Sequence, residues 1–263
     1  MRTVLTIAGS DSGGGAGIQA DLKTFAAHGV YGASAITAVT AQNTLGVTGA
    51  VALSADFVTA QIEAVAGDIT LHATKTGMLA TAAIVEAVAA AIVELELPLV
   101  VVDPVMVAKS GDRLLDDDAV QTLRTELLPK AFVVTPNIPE AETLAGCRIG
   151  SASDAREAAR RIHRLGAAAV IVTGGHAAGD EVVDLLFDGS AFVELRTPRI
   201  ATKNTHGTGC TFASAVAANL ALGRPLREAA TAAQQYVAGA IRHALPIGHG
   251  HGPLDHFWNR PVY

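Results

Sequence analysis

Short, continuous apolar segments alternate with longer alanine-rich segments along the whole chain, and this alternation limits the folds that it can adopt. Leu99–Val102 and Ala169–Val172 are examples of the short segments. Unbroken runs of this kind are typical of strands that are covered on both faces, as in a parallel sheet between helices. The sequence therefore predicts an α/β protein with three αβα layers and a mostly parallel central sheet.

Six segments are predicted strands, and helices are predicted between them. The strands are Thr3–Ala8, Ala33–Val39, Ala73–Thr76, Leu99–Asp103, Ala131–Thr135 and Ala168–Thr173. Three of the helices are Ala55–Ala66, Ala82–Glu94 and Asp154–Leu165, which follow Ser54, Thr81 and Ser153. A hydroxyl side chain before a helix can accept a hydrogen bond from an unpaired amide of the first turn, so these residues are the predicted caps.

One pair of segments departs from the alternation. Glu181–Phe187 and Phe192–Thr197 flank Asp188-Gly189, a dipeptide that suits a hairpin turn. We predict a short antiparallel hairpin at the edge of the sheet. The sequence shows no internal repeat or linker, so we expect residues 1–263 to form one domain.

Composition excludes several classes of partner. The chain has 19 Lys and Arg against 25 Asp and Glu, a net charge of −6, which disfavours binding to nucleic acid. The most apolar region, 80–102, contains three glutamates and a proline, which argues against a membrane partner. The two cysteines, Cys147 and Cys210, are far apart, unlike those of a secreted disulfide scaffold. We expect a cytoplasmic protein.

A first glycine-rich loop, Gly9–Gly17, follows the first predicted strand and leads into a helix. Such a loop can bring backbone amides close to an anion or a small ligand. It has neither the spacing of the dinucleotide motif nor the lysine of a P-loop. A tight turn from strand to helix is the alternative interpretation.

A second glycine-rich loop, Asn204–Thr211, precedes the predicted helix Phe212–Leu222. Gly207 and Gly209 leave the amides of residues 207–210 unobstructed, and the helix dipole adds partial positive charge. This arrangement is suited to a phosphoryl group. We expect the same field to lower the pKa of the Cys210 thiol; an inert, buried cysteine is the alternative.

Acidic residues follow two of the predicted strands. Asp103 ends one strand, and Glu140 and Glu142 follow another. Ligands bind beyond the carboxyl ends of parallel strands, and Mg²⁺ is commonly held by one or two carboxylates with substrate phosphates. Compensation of helix N-terminal charge is the alternative for the two glutamates.

Histidines near the end of the sequence could be taken for a metal site. His249, His251 and His256 lie among glycines, without a cysteine or acidic partner at ligand spacing. A mobile or capping tail is the better interpretation. A serine hydrolase is also disfavoured, because the sequence has no G-x-S-x-G motif.

At these segments the chain resembles the ribokinase-like superfamily and, within it, the hydroxymethylpyrimidine/phosphomethylpyrimidine kinases of thiamine biosynthesis. The similar segments are 7–21, 40–44, 75–78, 103–106, 109–111, 135–142, 204–211 and 248–253. They occur in the family's order and extend over almost the whole chain. The resemblance is therefore more specific than any single motif.

The resemblance implies ATP-dependent phosphorylation of 4-amino-5-hydroxymethyl-2-methylpyrimidine (hydroxymethylpyrimidine below) to its monophosphate and then to the diphosphate. It implies ATP as phosphoryl donor, Mg²⁺ as cofactor and a homodimer. The substrate-binding residues that it implies are Gln42, Gly9, Asp11 and Met78, and the metal-binding residues are Asp103 and Glu140. The implied ATP-binding residues are Asn137, Thr173, Gly174 and Lys109, with Thr173 where relatives often have a lysine. Gly207, Thr208, Gly209 and Cys210 would form the catalytic anion hole, with Cys210 facing the acceptor oxygen.

Three other functions remain open at this point. A pyridoxal or pyridoxine kinase would have the same architecture, although Gln42 and the turn at Cys210 favour the pyrimidine. A nucleotide- or vitamin-binding protein without turnover would keep the glycine loops but would not need Asp103, Glu140 and Cys210. A nicotinamide oxidoreductase is disfavoured because its glycine motif is absent.

Overall fold

A central sheet of nine strands runs through the part of the chain that the computed structural model describes, residues 1–107, 111, 115, 117–175 and 179–259. Its strands are β1 (Thr3–Asp11), β2 (Tyr31–Gln42), β3 (Val47–Ala52), β4 (Ala73–Thr76), β5 (Val100–Val102), β6 (Val133–Val134), β7 (Val170–Val172), β8 (Glu181–Phe187) and β9 (Phe192–Pro198). Their order across the sheet is β3-β2-β1-β4-β5-β6-β7-β8-β9. All six predicted strands are therefore confirmed, with differences at their ends.

The sheet is parallel at its centre and antiparallel at both edges. Strands β2, β1, β4, β5, β6 and β7 pair in parallel. Strand β8 pairs antiparallel with β7, and β8 and β9 form the predicted hairpin. Strand β3, antiparallel to β2, was not predicted. Five of its six residues are exposed, so it lacks the buried apolar run by which the other strands were found.

Helices cover both faces of the sheet. They are α1 (Gly17–Ala27), α2 (Ala55–Ala66), α3 (Ala82–Glu94), α4 (Asp117–Thr122), α5 (Ile138–Ala145), α6 (Ala152–His163), α7 (Thr208–Ala221) and α8 (Leu226–Arg242), and a π-helical turn (Leu123–Leu127) and a 3-10 turn (Leu128–Lys130) extend α4. Helices α1, α7 and α8 lie on one face and α2, α3, α4, α5 and α6 on the other. The predicted three-layer αβα architecture is confirmed.

Alternate side chains of the central strands supply the two cores. Val101 of β5 points into the core beside α7, whereas Val100 and Val102 point into the core beside α3. All three are almost completely buried. This explains why the strand appears in the sequence as an unbroken apolar run. A membrane-spanning helix is absent from the described residues.

The helix caps confirm two predictions and correct a third. The Ser54 and Thr81 side chains accept hydrogen bonds from backbone amides of α2 and α3. For α6 the predicted cap Ser153 is wrong: Ser151 accepts the Asp154 amide at 3.2 Å and the helix begins at Ala152. Two serines two residues apart offer the same cap, and the sequence does not distinguish them.

Candidate active site

A cavity of about 600 Å³ lies at the carboxyl ends of the parallel strands, where α/β sheets bind their ligands. Both glycine-rich loops line it. The predicted site residues that line it are Gly9, Asp11, Gln42, Met78, Asp103, Asn137, Glu140, Thr173, Gly207, Thr208, Gly209 and Cys210. Gly174 does not line it, and Lys109 lies outside the described residues.

Helix α7 begins in this cavity. Gly207 is its N-cap residue, with a left-handed φ of 81°, and the helix starts at Thr208, four residues before the predicted start. The prediction missed the first turn because Gly207 and Gly209 lie on either side of the true helix start, and glycine is unfavourable within a helix. Thr208, Gly209 and Cys210 thus form the first turn, where backbone amides lack intrahelical partners and the helix dipole is positive.

The two glycine-rich loops lie directly against each other. A β-carbon at position 207 would overlap the carbonyl oxygen of Gly15, and one at position 15 would overlap the ring of His206. Only glycine allows the two backbones to come this close with φ positive at residue 207. The first loop therefore supports the N-terminus of α7, which the sequence alone did not show.

Asp11 organises the first loop and joins it to the second. Its carboxylate accepts hydrogen bonds from the amides of Gly13 (2.8 Å), Gly15 (3.1 Å) and Ala16 (2.9 Å). The same carboxylate lies 2.9 Å from His206 Nε2. Burial alone would raise the pKa of Asp11, but the hydrogen bonds from His206 and the loop amides outweigh it and lower the pKa. Asp11 is therefore an anion that holds both loops.

Gln42 and Met78 both line the cavity. Gln42 ends β2; one terminal atom of its amide lies 3.0 Å from Thr40 Oγ1 and the other 3.5 Å from His206 Nε2. The Met78 side chain packs over Gly9. Gln42 therefore lines the same cavity as the turn at residues 207–210.

A buried ion cluster, formed by Asp21, Lys75 and Asp103, lies next to Cys210. Lys75 Nζ is 3.0 Å from the Asp21 carboxylate and 3.6 Å from the Asp103 carboxylate, and it is completely buried. Asp21 also accepts hydrogen bonds from Thr6 and Ser214, both at 2.6 Å. Burial alone would lower the pKa of Lys75, but the neighbouring carboxylates outweigh it and raise the pKa.

Lys75 has no predicted role and lies in one of the segments that resemble the family, 75–78. A lysine in the middle of a buried strand is unusual, because a charged side chain there needs a partner. That signal could have marked it, but its partner Asp21 lies 54 residues away in the sequence.

Asp103 and Glu140 form an acidic pair that lines the same cavity. Burial and the nearby Asp103 raise the pKa of Glu140 to about 8. Burial also raises the pKa of Asp103. Its Oδ2 atom accepts no hydrogen bond from the described residues and has only the Lys75 ammonium at 3.6 Å. A carboxylate oxygen that accepts no hydrogen bond, beside a second carboxylate, fits a divalent cation such as Mg²⁺.

Glu140 also has the structural role that was the alternative interpretation. Asn137 and Glu140 form a capping box at the start of α5: the Glu140 amide donates to Asn137 Oδ1, and the Asn137 amide donates to Glu140 Oε2, each at 3.0 Å. One carboxylate oxygen is therefore occupied by the helix cap. A cluster of three or more His, Cys, Asp or Glu residues able to hold a metal is absent from the described chain, so a cation here would need oxygens from its ligand.

The predicted lowering of the Cys210 pKa is wrong. Desolvation by the surrounding protein, together with the charges of Asp103 and Asp21, raises the pKa of the thiol, and the ammonium of Lys75 offsets only part of this. The field of the helix is therefore not the largest influence on this group. The thiol keeps its proton at neutral pH.

The segment after β7 reaches the far end of the cavity. Thr173 forms a parallel bridge to Asn137, which brings these two predicted ATP-binding residues together. The Gly174 amide instead donates to Asp184 Oδ1 at 2.8 Å, inside the protein, and Gly175 takes its place in the cavity wall. Asp184 is a buried carboxylate that the sequence analysis missed.

The remaining candidates have structural contacts. Glu142 accepts the amide of Ile149 at 2.7 Å and does not line the cavity. In the C-terminal segment the amides of Gly250 and His251 donate to Thr44, next to Gln42. These contacts favour the capping interpretation of the tail over a metal site.

This fold and site define the class: a ribokinase-like kinase of small molecules. The model of the family "Phosphomethylpyrimidine kinase" matches residues 11–255. A kinase from Bacillus subtilis, named hydroxymethylpyrimidine/phosphomethylpyrimidine kinase, is 53% identical over 254 residues, which cover 96% of this chain and 94% of that protein. The chain belongs to the phosphomethylpyrimidine kinase family.

Two further comparisons extend the likeness. A thiamine biosynthesis bifunctional protein of Geobacter sulfurreducens is 56% identical over 97% of this chain, and the chain spans about half of that protein (52%). The solved pyridoxal kinase of Bacillus subtilis, an ADP complex, has a TM-score of 0.91 and 42% identity, and the likeness covers 97% of each chain.

Proposed function

We propose that this protein phosphorylates hydroxymethylpyrimidine with ATP, first to the monophosphate and then to the diphosphate, for thiamine biosynthesis. One observation carries the proposal: the open N-terminus of α7 lies in one cavity with Gln42 and the Asp103–Glu140 pair. A phosphoryl acceptor bound at Gln42 and a nucleotide bound at the acidic pair would meet at Gly207–Cys210. The names of the closely similar kinases support this assignment.

Residues Gly207 to Cys210 would stabilise the phosphoryl group during transfer. Charge spreads over its oxygens in the transition state, and backbone amides at a helix N-terminus are well placed to receive it. The Thr208 amide donates to the Thr205 carbonyl at 3.3 Å and would exchange that bond for one to the phosphoryl group. Phosphoryl transfer depends mostly on positioning and charge stabilisation. A rigid first turn of α7, supported by the first loop, supplies both.

At the acceptor end, Gln42 would hydrogen-bond the pyrimidine, and Gly9 and Met78 would contact the ring. Asp11 has four donors around its carboxylate. We therefore assign it the role of shaping the pocket through its loop. Cys210 would contact the acceptor oxygen.

At the donor end, Asp103 and Glu140 would hold Mg²⁺ together with the ATP phosphates. The cation supplies charge neutralisation and orientation of those phosphates when bound. Asn137 and Thr173 would contact the nucleotide, as would Lys109. The Gly174 amide is bonded to Asp184, so we assign its predicted contact to the neighbouring Gly175.

A pyridoxal kinase is the second candidate, because the solved relative with a TM-score of 0.91 has that name. Purified protein would be incubated with ATP, MgCl₂ and each of hydroxymethylpyrimidine, its monophosphate and pyridoxine, and ADP release would be measured. We expect release with both pyrimidines. Release with pyridoxine alone would establish the second candidate, and release with none would leave a binding protein without turnover.

We also propose that residues 1–263 form a single kinase domain, that the protein is cytoplasmic and that two copies form a homodimer. Val39 and Val51 face each other across β2 and β3, and 48% and 67% of their surfaces are exposed. Exposed apolar pairs at a sheet edge are suited to contact with a second copy. Sedimentation of the wild type and of Val51→Lys tests this, with a monomeric variant as the expected result.

A further inference from the structure

The Thr40 hydroxyl lies between a backbone carbonyl and the Gln42 side chain, and it can donate to only one of them. Thr40 is buried, and its Oγ1 atom is 2.9 Å from the Ser10 carbonyl oxygen and 3.0 Å from the Gln42 amide. A hydroxyl has one proton, and a carbonyl oxygen can only accept. The Thr40 hydroxyl must therefore donate to the Ser10 carbonyl oxygen. It then offers only a lone pair to Gln42, so the Gln42 atom beside it should be a donor.

The opposite end of the same amide faces a donor. His206 Nε2 lies 2.9 Å from the Asp11 carboxylate, which is an anion and can only accept, so this nitrogen carries a proton. The Gln42 atom beside His206, at 3.5 Å, should therefore be an acceptor. An NH₂ group at that place would set two donors against each other.

Both conditions are satisfied by one orientation of the amide. As placed in the structure, the Gln42 Oε1 atom lies beside Thr40 and the Nε2 atom beside His206. The nitrogen and oxygen of a glutamine side chain have the same shape, so the orientation is assigned from the partners, and here they favour the reverse. We propose that Thr40 and His206 fix the Gln42 amide with Nε2 toward Thr40 and Oε1 toward His206, which makes Thr40 a specificity-determining residue of the substrate pocket. Gln42 then presents one N–H and one carbonyl oxygen to the cavity in a fixed order.

This inference rests on the proposed function and extends it to substrate choice. An aminopyrimidine has a ring nitrogen that accepts beside an exocyclic amino group that donates, and a fixed acceptor–donor pair on the protein matches it. Pyridoxine lacks the amino group. A site built around a particular hydrogen bond discriminates strongly against a ligand that cannot form it. The fixed amide therefore favours the pyrimidine.

Thr40→Val removes the hydroxyl and keeps the shape of the side chain, whereas Thr40→Ser keeps the hydroxyl. We expect Thr40→Val to raise KM for hydroxymethylpyrimidine about tenfold, with kcat changed by less than about twofold, because one hydrogen bond is lost in binding. KM for pyridoxine should change much less, and Thr40→Ser should retain the wild-type preference. In a Gln42→Ala background, Thr40→Val should have no further effect on KM.

The proposal is overturned if Thr40→Val leaves KM for the pyrimidine unchanged, or if it lowers kcat for both substrates equally. A direct measurement on the wild type covers the case in which Thr40→Val does not fold. Nuclear Overhauser contacts of the Gln42 side-chain NH₂ with the Thr40 methyl group support the orientation, and contacts with the His206 ring instead overturn it. This measurement needs no turnover, so absent wild-type activity would count against the proposed function alone.

Discussion

The Lys75 ammonium lies 3.6 Å from the Asp103 carboxylate in the interior of the protein, and it also contacts Asp21 at 3.0 Å. Replacing the lysine by methionine would leave two buried carboxylates without their cation. Removal of one member of a buried ion pair costs about 3–5 kcal/mol. We expect Lys75→Met to lower the free energy of unfolding by about this amount in urea titration.

Lys203→Met is the matched control, because Lys203 is exposed. It should change the free energy of unfolding by less than about 0.5 kcal/mol. If Lys75→Met were as mild as this control, the buried ion cluster would not stabilise the fold.

Gly207→Ala should damage the site more than backbone strain alone explains. Gly207 and Gly223 have similar left-handed φ values, 81° and 87°, but a β-carbon meets the Gly15 carbonyl at residue 207 and nothing within 4 Å at residue 223. Gly223→Ala should cost only the left-handed strain, about 1–2 kcal/mol, with activity kept. Gly207→Ala should cost more and reduce kcat at least about tenfold, since the anion hole must move. If the two variants lost equal stability in thermal melts and equal activity in kinase assays, the close contact at residue 207 would be contradicted.

Cys210→Ala should slow both phosphorylations by similar factors, each less than about tenfold. The first acceptor is a hydroxyl group that must lose a proton, whereas the second is already a phosphate anion. Because the raised pKa keeps the Cys210 thiol protonated, the thiol cannot accept that proton, and the variant loses only a contact with the acceptor oxygen. Single-turnover assays with each substrate measure this, with Cys147→Ala as the control thiol variant. A loss of about 100-fold confined to the first step would show instead that Cys210 takes the proton.

Glu140 should make the stability of the free protein fall as the pH rises. Burial and Asp103 raise its pKa from 4.5 to about 8, so the folded state favours the protonated carboxyl. This contribution is fully present below about pH 4.5 and is lost as the pH rises through about 8. Glu140→Gln cannot titrate and should show a smaller fall in melting temperature over this range.

The same pKa predicts the pH dependence of Mg²⁺ binding. Because the cation needs ionised carboxylates, MgCl₂ should raise the melting temperature more at about pH 9 than at about pH 6. Glu140→Gln should reduce this gain. A gain that is independent of both pH and Glu140 would place the cation elsewhere.

Most of the fold follows from local patterns. The caps Ser54 and Thr81 and the hairpin at Asp188-Gly189 are determined by neighbouring residues, and the structure confirms all three. Strand β3 was missed because it is exposed and held only by pairing with β2. Its existence depends on a partner strand, not on its own composition.

Most residues of the cavity wall that the sequence singled out lie on recognisable loops and strand ends, but their contacts could not be predicted. The pairings Asp21–Lys75 and Asp11–His206 join residues 54 and 195 positions apart, and no local pattern relates them. The Cys210 pKa was wrong for the same reason: the helix field is local, whereas the surrounding carboxylates come from distant segments.

The link between Asp11 and His206 has a consequence for how the protein acquires activity. Asp11 of the first loop lies near the start of the sequence, and its partner His206 in the second loop is 195 positions away. Such distant contacts form late in folding, since a long loop must close first. Partly folded intermediates should therefore be unable to bind either substrate, and recovery of turnover after dilution from denaturant should lag behind recovery of helix and sheet.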